Sequence, residues 1–185
     1  MPETKDAASI LSSALFKSSV EQSAVVVTAK GAAAVDLAVL KLLAKESYTG
    51  IILCIDRPAS FYSKLMESGG ADPKCMRFIN IGFKETGDNI TTLGENAGDL
   101  TFIKIELVRT AQQMRMKGPD AKLFVLNDAI ATIMLYSDED VVGRFLHDLN
   151  NKFRELNVYV VTIIEPDEKI GSLVKKLADV VVNLD

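Results

Sequence analysis

The chain has 185 residues, 48% of them hydrophobic, a formal net charge of -4 and a pI near 5.1. That length holds one domain comfortably, and that share of apolar residues excludes a disordered chain. The acidic balance excludes the broad positive field that nucleic acid requires, the single His147 excludes a histidine-rich metal centre, and no apolar stretch reaches the ~20 residues needed to span a bilayer.

Residues 1–22 are small and mixed, with weak amphipathic spacing through Ile10, Leu11, Leu15, Phe16 and Val20. They predict a helical lead-in to one domain over residues 23–185. The opening Met1-Pro2-Glu3-Thr4-Lys5-Asp6 has no apolar signal region, and Cys54 and Cys75 have no CxxC partner. A cytoplasmic protein with reduced thiols is expected.

Residues 24–28 form a continuous apolar run of strand length, the mark of a strand covered on both faces. Residues 37–45, rich in Ala and Leu, predict a buried helix, and Gly50 is expected to end that connection. Residues 51–55 read as a second strand stopped by Asp56-Arg57-Pro58. Ser60 is expected to cap a helix over 61–68 that stops at Gly69-Gly70. Residues 76–81 read as a third strand. The stretch 82–98 is long and polar, with a short edge strand at 90–93.

A helix from near Asp99 to Lys117 follows, with Leu100, Ile103, Leu107, Ala111 and Met114 along one face. Residues 123–126 are a further strand. Ser137-Asp138-Glu139-Asp140 resembles a capping box opening a helix that carries Val142, Phe145, Leu146, Leu149 and Phe153 on one side. Residues 158–164 form a strand, 168–177 a short helix and 178–184 a last strand. Apolar strands alternating with helices predict an α/β fold with a parallel sheet and helices on both faces.

In such folds ligands sit beyond the carboxyl ends of the strands, so those ends carry the functional reading. After the first strand comes Ala29-Lys30-Gly31-Ala32-Ala33-Ala34-Val35-Asp36. This is the place of a phosphate-binding P-loop, G-x-x-x-x-G-K-[ST]. Ala29 and Ala34 stand at the glycine positions, Val35 at the lysine and Asp36 at the Ser/Thr. Asp56 follows the second strand, and Asp128 follows the strand over 123–126.

The run from about Ser23 to Leu184 resembles the RecA/KaiC-like family of ATPase domains, especially its small archaeal members. The stretches that carry the resemblance are ILCIDRPAS within 51–60, FVLNDAIATIMLY within 123–136, residues 138–156 and the closing Ala178-Asp179-Val180-Val181-Val182. The resemblance implies a three-layer, mostly parallel sheet with a P-loop after the first strand. By position it implies that Asp56 matches the acid that polarises the attacking water, and Asp128 the Walker-B aspartate that holds magnesium.

The departure falls at the loop. Val35 cannot donate a hydrogen bond to phosphate, and Asp36 brings negative charge where phosphate would lie. Asp36 is expected to cap the helix over 37–45 itself, as an internal anion. The expectation is a catalytically inactive domain without cofactor, acting in regulation or assembly through a protein partner or self-association. The alternative is a divergent ATP-binding protein or weak ATPase, with Lys30 as phosphate clamp, Asp56 as acid and Asp128 holding magnesium. Arg109, Arg115, Lys117 and Lys122 have no aromatic residue between them to stack on bases, which argues against a nucleic-acid surface. A receiver-like domain lacks its acid cluster after the first strand, and a dinucleotide fold would need more than the one glycine, Gly31.

Overall fold

A computed structural model describes residue 10 and residues 12–13, 24–29, 32–94, 96–165 and 168–184. Of the expected lead-in, Ile10, Ser12 and Ser13 are described and helical; the rest of it lies outside the described residues.

Among the described residues seven strands form one sheet: β1 (Ala24–Thr28), β2 (Tyr48–Cys54), β3 (Met76–Ile81), β4 (Ile90–Leu93), β5 (Lys122–Asn127), β6 (Val158–Ile164) and β7 (Val180–Asn183). Their order is β4-β3-β2-β5-β6-β1-β7. Every neighbouring pair is parallel. All strand carboxyl ends therefore share one edge. Helices cover both faces, as a buried parallel sheet requires. On one face lie α1 (Ala32–Lys45) and α2 (Ala59–Ser68); on the other lie α3 (Leu100–Lys117), α4 (Ile130–Tyr136), α5 (Glu139–Glu155) and α6 (Glu168–Lys176).

Strand alternation divides the core accordingly. Val25, Val27, Ile52, Phe78, Phe124, Leu126 and Val161 face α1 and α2. Val26, Ile51, Leu53, Ile79, Val125 and Val160 face α3 to α6. The expected stripe of α3 is buried at Leu100, Ile103, Leu107 and Ala111, and that of α5 at Val142, Phe145, Leu146, Leu149 and Phe153.

Several boundaries differ from those the sequence predicts. Gly50 does not end a connection; it lies inside β2, where a Cβ would stand 2.5 Å from the Phe124 ring and from the Phe124 carbonyl oxygen. Its small size serves the close approach of β2 to β5. Helix α4 has no counterpart in the expected elements, because seven residues show too few turns for a period. Helix α2 starts at Ala59, after Pro58, with no cap from its own sequence. Ser60 is not the cap: Asn80 Oδ1 accepts from the Ala59 N–H and Glu85 Oε2 from the Ser60 N–H, each at 3.1 Å. The α5 capping box is also absent, since the Asp138 side chain accepts no capping hydrogen bond.

The 82–89 connection runs from β3 to β4 without a helix and folds back on the sheet edge. Gly87 pairs antiparallel with Ile90, and Thr92 Oγ1 donates to the Glu85 carbonyl. Arg115 is committed to structure, donating to the carbonyls of Leu156, Asn157, Pro119 and Ala121.

Candidate functional site

Three strand ends and two helices bring the candidate residues together. Helix α1 leaves β1 and carries Asp36 in its second turn. The turn after β2 carries Asp56 and Arg57. Asp128 follows β5, and Tyr62 lies on α2. Asp36 is fully buried (0% exposed), and the Asp128 side chain is 4% exposed.

Arg57 Nη1 donates to Asp36 Oδ2 at 2.8 Å and lies 3.9 Å from Asp128 Oδ2. The Tyr62 hydroxyl donates to Asp128 Oδ2. The guanidinium also sits 4.9 Å from the centre of the Phe61 ring, a cation–π contact that holds it inward.

The expectation that Asp36 caps the helix is corrected here. Helix α1 already begins at Ala32, so Asp36 is internal to it. Its carboxylate points across the sheet edge to a full positive charge, a stronger partner than the partial charge of a helix terminus.

Two buried carboxylates share one guanidinium, which leaves excess negative charge. Burial raises the Asp36 pKa from 3.8 to about 7, the Asp128 charge adds to that rise, and Arg57 opposes it. Asp128 is raised too, by burial first; the Asp56 charge adds, while the Tyr62 hydrogen bond and Arg57 oppose. Asp36 Oδ1 and Asp128 Oδ1 are buried and accept from no donor among the described residues. A carboxyl proton held at this pair removes the excess charge, as expected of two acids that cannot both ionise in a dry site. Burial and the Asp128 carboxylate push the Tyr62 phenol far up, so it stays a donor at physiological pH. Burial does the same to the Cys54 thiol, which lies fully buried at the end of β2.

Ala29 is buried, and its N–H donates to the Ile164 carbonyl at 3.1 Å, so it belongs to the sheet edge. Ala34 is exposed, while Val35 packs into the core under α1. Lys30 and Gly31 lie outside the described residues. Asp56 is exposed; it makes no hydrogen bond or ion pair among the described residues and reaches the cluster only through its charge. Among the described residues no group of three or more His, Cys, Asp or Glu side chains is placed to hold a metal ion. Thr28 Oγ1 and Asn127 Nδ2, also buried without partners among the described residues, belong by strand alternation to the opposite face of the sheet. A groove of about 560 Å³ lined by Lys41, Lys45, Tyr48 and Thr49 lies at the other edge, by the amino end of β2.

Sequence reasoning missed Arg57 and Tyr62. Arg57 had one usable signal: a cation directly after a strand end, on the edge where two other strand ends supply acids. Tyr62 had none, because its role depends on how α2 lies across the sheet.

The sequence profile of DUF7504, a family of unknown function, matches residues 22–184. The chain belongs to that family. No curated protein matches it. Among solved structures, this DUF7504 chain is similar to the KaiC-like protein PH0186 from the hyperthermophilic archaeon Pyrococcus horikoshii OT3. The identity is 19%, the TM-score 0.56, and the match covers 89% of this chain and 73% of that one. It is also similar to a second solved ATPase domain, at 11% identity and a TM-score of 0.58, covering 91% of this chain and 70% of that one. At these identities the likeness is one of fold. The fold is the RecA/KaiC-like ATPase-domain fold, an all-parallel version of the mostly parallel sheet expected. Among the described residues no helix is long and apolar enough to cross a membrane.

Proposed function

We propose that this chain is a catalytically inactive RecA/KaiC-like domain that acts as a regulatory or assembly module through protein contacts. One observation carries the reading: the buried Asp36 carboxylate, paired with Arg57, at the position of the phosphate loop's Ser/Thr. The residues there suit a triphosphate poorly. Val35 has no donor, and a lost charged hydrogen bond costs about 1.5–3 kcal/mol. Negative charge left on the buried Asp36–Asp128 pair would add repulsion to a phosphate placed beside it. The one cation described in the site, Arg57, is already engaged by Asp36. On this reading the domain keeps the scaffold of a nucleotide-binding fold while its one described cation is spent on its own Asp36.

A second reading keeps a specific support. The donorless oxygens of Asp36 and Asp128, with the Asp56 charge nearby, form an acidic edge that a divalent cation could neutralise. On that reading Lys30, Asp56 and Asp128 serve a divergent ATP site. Isothermal titration with MgATP separates the two. The proposal expects no binding at micromolar nucleotide, and no phosphate release above that of an Asp128→Asn control. Micromolar binding, or release that the Asp128→Asn change abolishes, overturns it.

A further inference from the structure

The carboxyl ends of the strands gather acids; the amino ends of β3 and β4 gather cations. Arg77 is the second residue of β3, and alternation turns it to the side of Ile79, toward α3. Thr91 of β4 faces the same side as Leu93. Helix α3 runs back over both strands, and its second half brings Arg109, Thr110, Gln113 and Lys117 above them. These six residues line a groove of about 270 Å³.

The groove is built for negative charge. Arg77 is half-buried, and its Nη1 donates to the Asp88 main-chain carbonyl at 2.8 Å. That bond fixes the guanidinium, yet no carboxylate pairs with it among the described residues, nor with Lys117. Arg109 is held in place by Glu106, whose buried carboxylate accepts from its Nε and Nη2, so Nη1 is left over. Besides Glu106, the acid at the groove is the exposed Asp88. A recess lined mainly by one sign of charge concentrates the other sign, here on a chain whose net charge is -4.

Thr110 points to a ligand independently of charge. It is only 7% exposed, lines the groove, and makes no side-chain hydrogen bond among the described residues. A threonine inside a helix commonly donates to the carbonyl four residues back, and this one does not. A buried hydroxyl without a partner is unfavourable, and an acceptor seated in the groove offsets that cost.

We propose that this groove binds a small oxyanion, a phosphate-sized group carried free or on a small metabolite. The planar guanidinium of Arg77 matches the spacing of two such oxygens, Lys117 adds a point charge, and Thr110 adds a neutral donor. The volume falls below the ~300–1,000 Å³ of pockets for larger organic ligands. No aromatic side chain lines it to stack on a base, which disfavours a nucleotide or a nucleic acid. The groove lies at the other end of the strands from Asp36 and Asp128, so it stands whether or not the carboxyl edge binds nucleotide.

Equilibrium dialysis of the full chain against radiolabelled inorganic phosphate, at fixed ionic strength in chloride, tests this. One saturable site of millimolar or tighter affinity is expected. Arg77→Gln should weaken it about tenfold or more, and Thr110→Val, which keeps the side chain's shape, about tenfold. Far-ultraviolet circular dichroism should be unchanged in both. Lys64→Gln, which removes a cation from the exposed face of α2, should leave the affinity unchanged. Competition by glycerol 3-phosphate separates the two sources. Displacement stronger than that by unlabelled phosphate assigns the site to a phosphorylated metabolite, and weaker or equal displacement assigns it to the free ion. No saturable uptake up to millimolar phosphate overturns the proposal. So does affinity unchanged in Arg77→Gln or in Thr110→Val, or an equal loss in Lys64→Gln.

Discussion

Arg57 Nη1 lies 2.8 Å from Asp36 Oδ2, joining the turn after β2 to the second turn of the helix after β1. The two residues are 21 positions apart, and the acid is fully buried while the guanidinium keeps a 29% exposed edge. Removing the cation strands a buried carboxylate. Arg57→Ala is expected to cost about 3–5 kcal/mol at pH 8, read by urea unfolding. Asp36→Leu combined with Arg57→Met should lose less than Arg57→Ala alone, because only one buried acid, Asp128 with its Tyr62 donor, is then left without the cation. A loss under about 1 kcal/mol for Arg57→Ala, the range of an exposed pair, would mean that the pair is solvated and that Asp36 is not held by it.

The same burial makes stability depend on pH in a definite direction. Asp36 titrates near 3.8 when unfolded and near 7 when folded. Between those values the folded chain holds a proton that the unfolded chain has released, so stability falls as pH rises. The contribution is complete below about pH 4, is lost through about pH 7, and stays lost above it. Asp36→Asn should flatten that decline. Urea unfolding at half-unit steps from pH 4.5 to 8.5 measures it; stability that climbs steadily across the same window would contradict the assignment.

Tyr62 supplies the donor that Asp128 uses, and burial keeps that phenol protonated. Tyr62→Phe preserves the ring that packs under α2 and removes the hydroxyl. A loss of about 1–3 kcal/mol is expected, larger at pH 8 than at pH 5, where the acid pair holds a proton. Thermal melts at the two pH values read it. An equal loss at both would show that the hydroxyl serves packing and not the carboxylate.

Helix α2 borrows its cap from outside its own sequence. Glu85 accepts from the Ser60 N–H and from Asn80 Nδ2, both at 3.1 Å. Glu85→Ala is therefore expected to cost about 1 kcal/mol, the usual value of a lost helix cap. It should also raise amide hydrogen exchange at residues 59–61. Unchanged exchange there, with a changed melting temperature, would place the effect in the 82–89 connection.

Much of the fold was legible from short-range pattern. Strands β3 and β6 fall where their apolar runs predict, and α3 begins after the Asp99 cap and ends at Gly118. Each of these signals lies within a few residues of the element it marks. The site was legible only in outline. Asp36 could be picked out because it stands at the Ser/Thr position of the phosphate-loop pattern, and Asp128 because it follows a strand, but the cap assigned to Asp36 was wrong, since a sequence shows the nearest helix end and not the cation 21 residues away.

From residue order alone came the alternation of strand and helix, the parallel sheet, and the acid and valine standing at the phosphate-loop positions. These follow from local periodicity and side-chain chemistry, which need no knowledge of what packs where. The folded chain alone set Arg57 against Asp36, Tyr62 against Asp128, and Asn80 with Glu85 at the start of α2. Those contacts depend on which strands become neighbours, and the order β2-β5-β6-β1 joins segments that lie far apart along the chain.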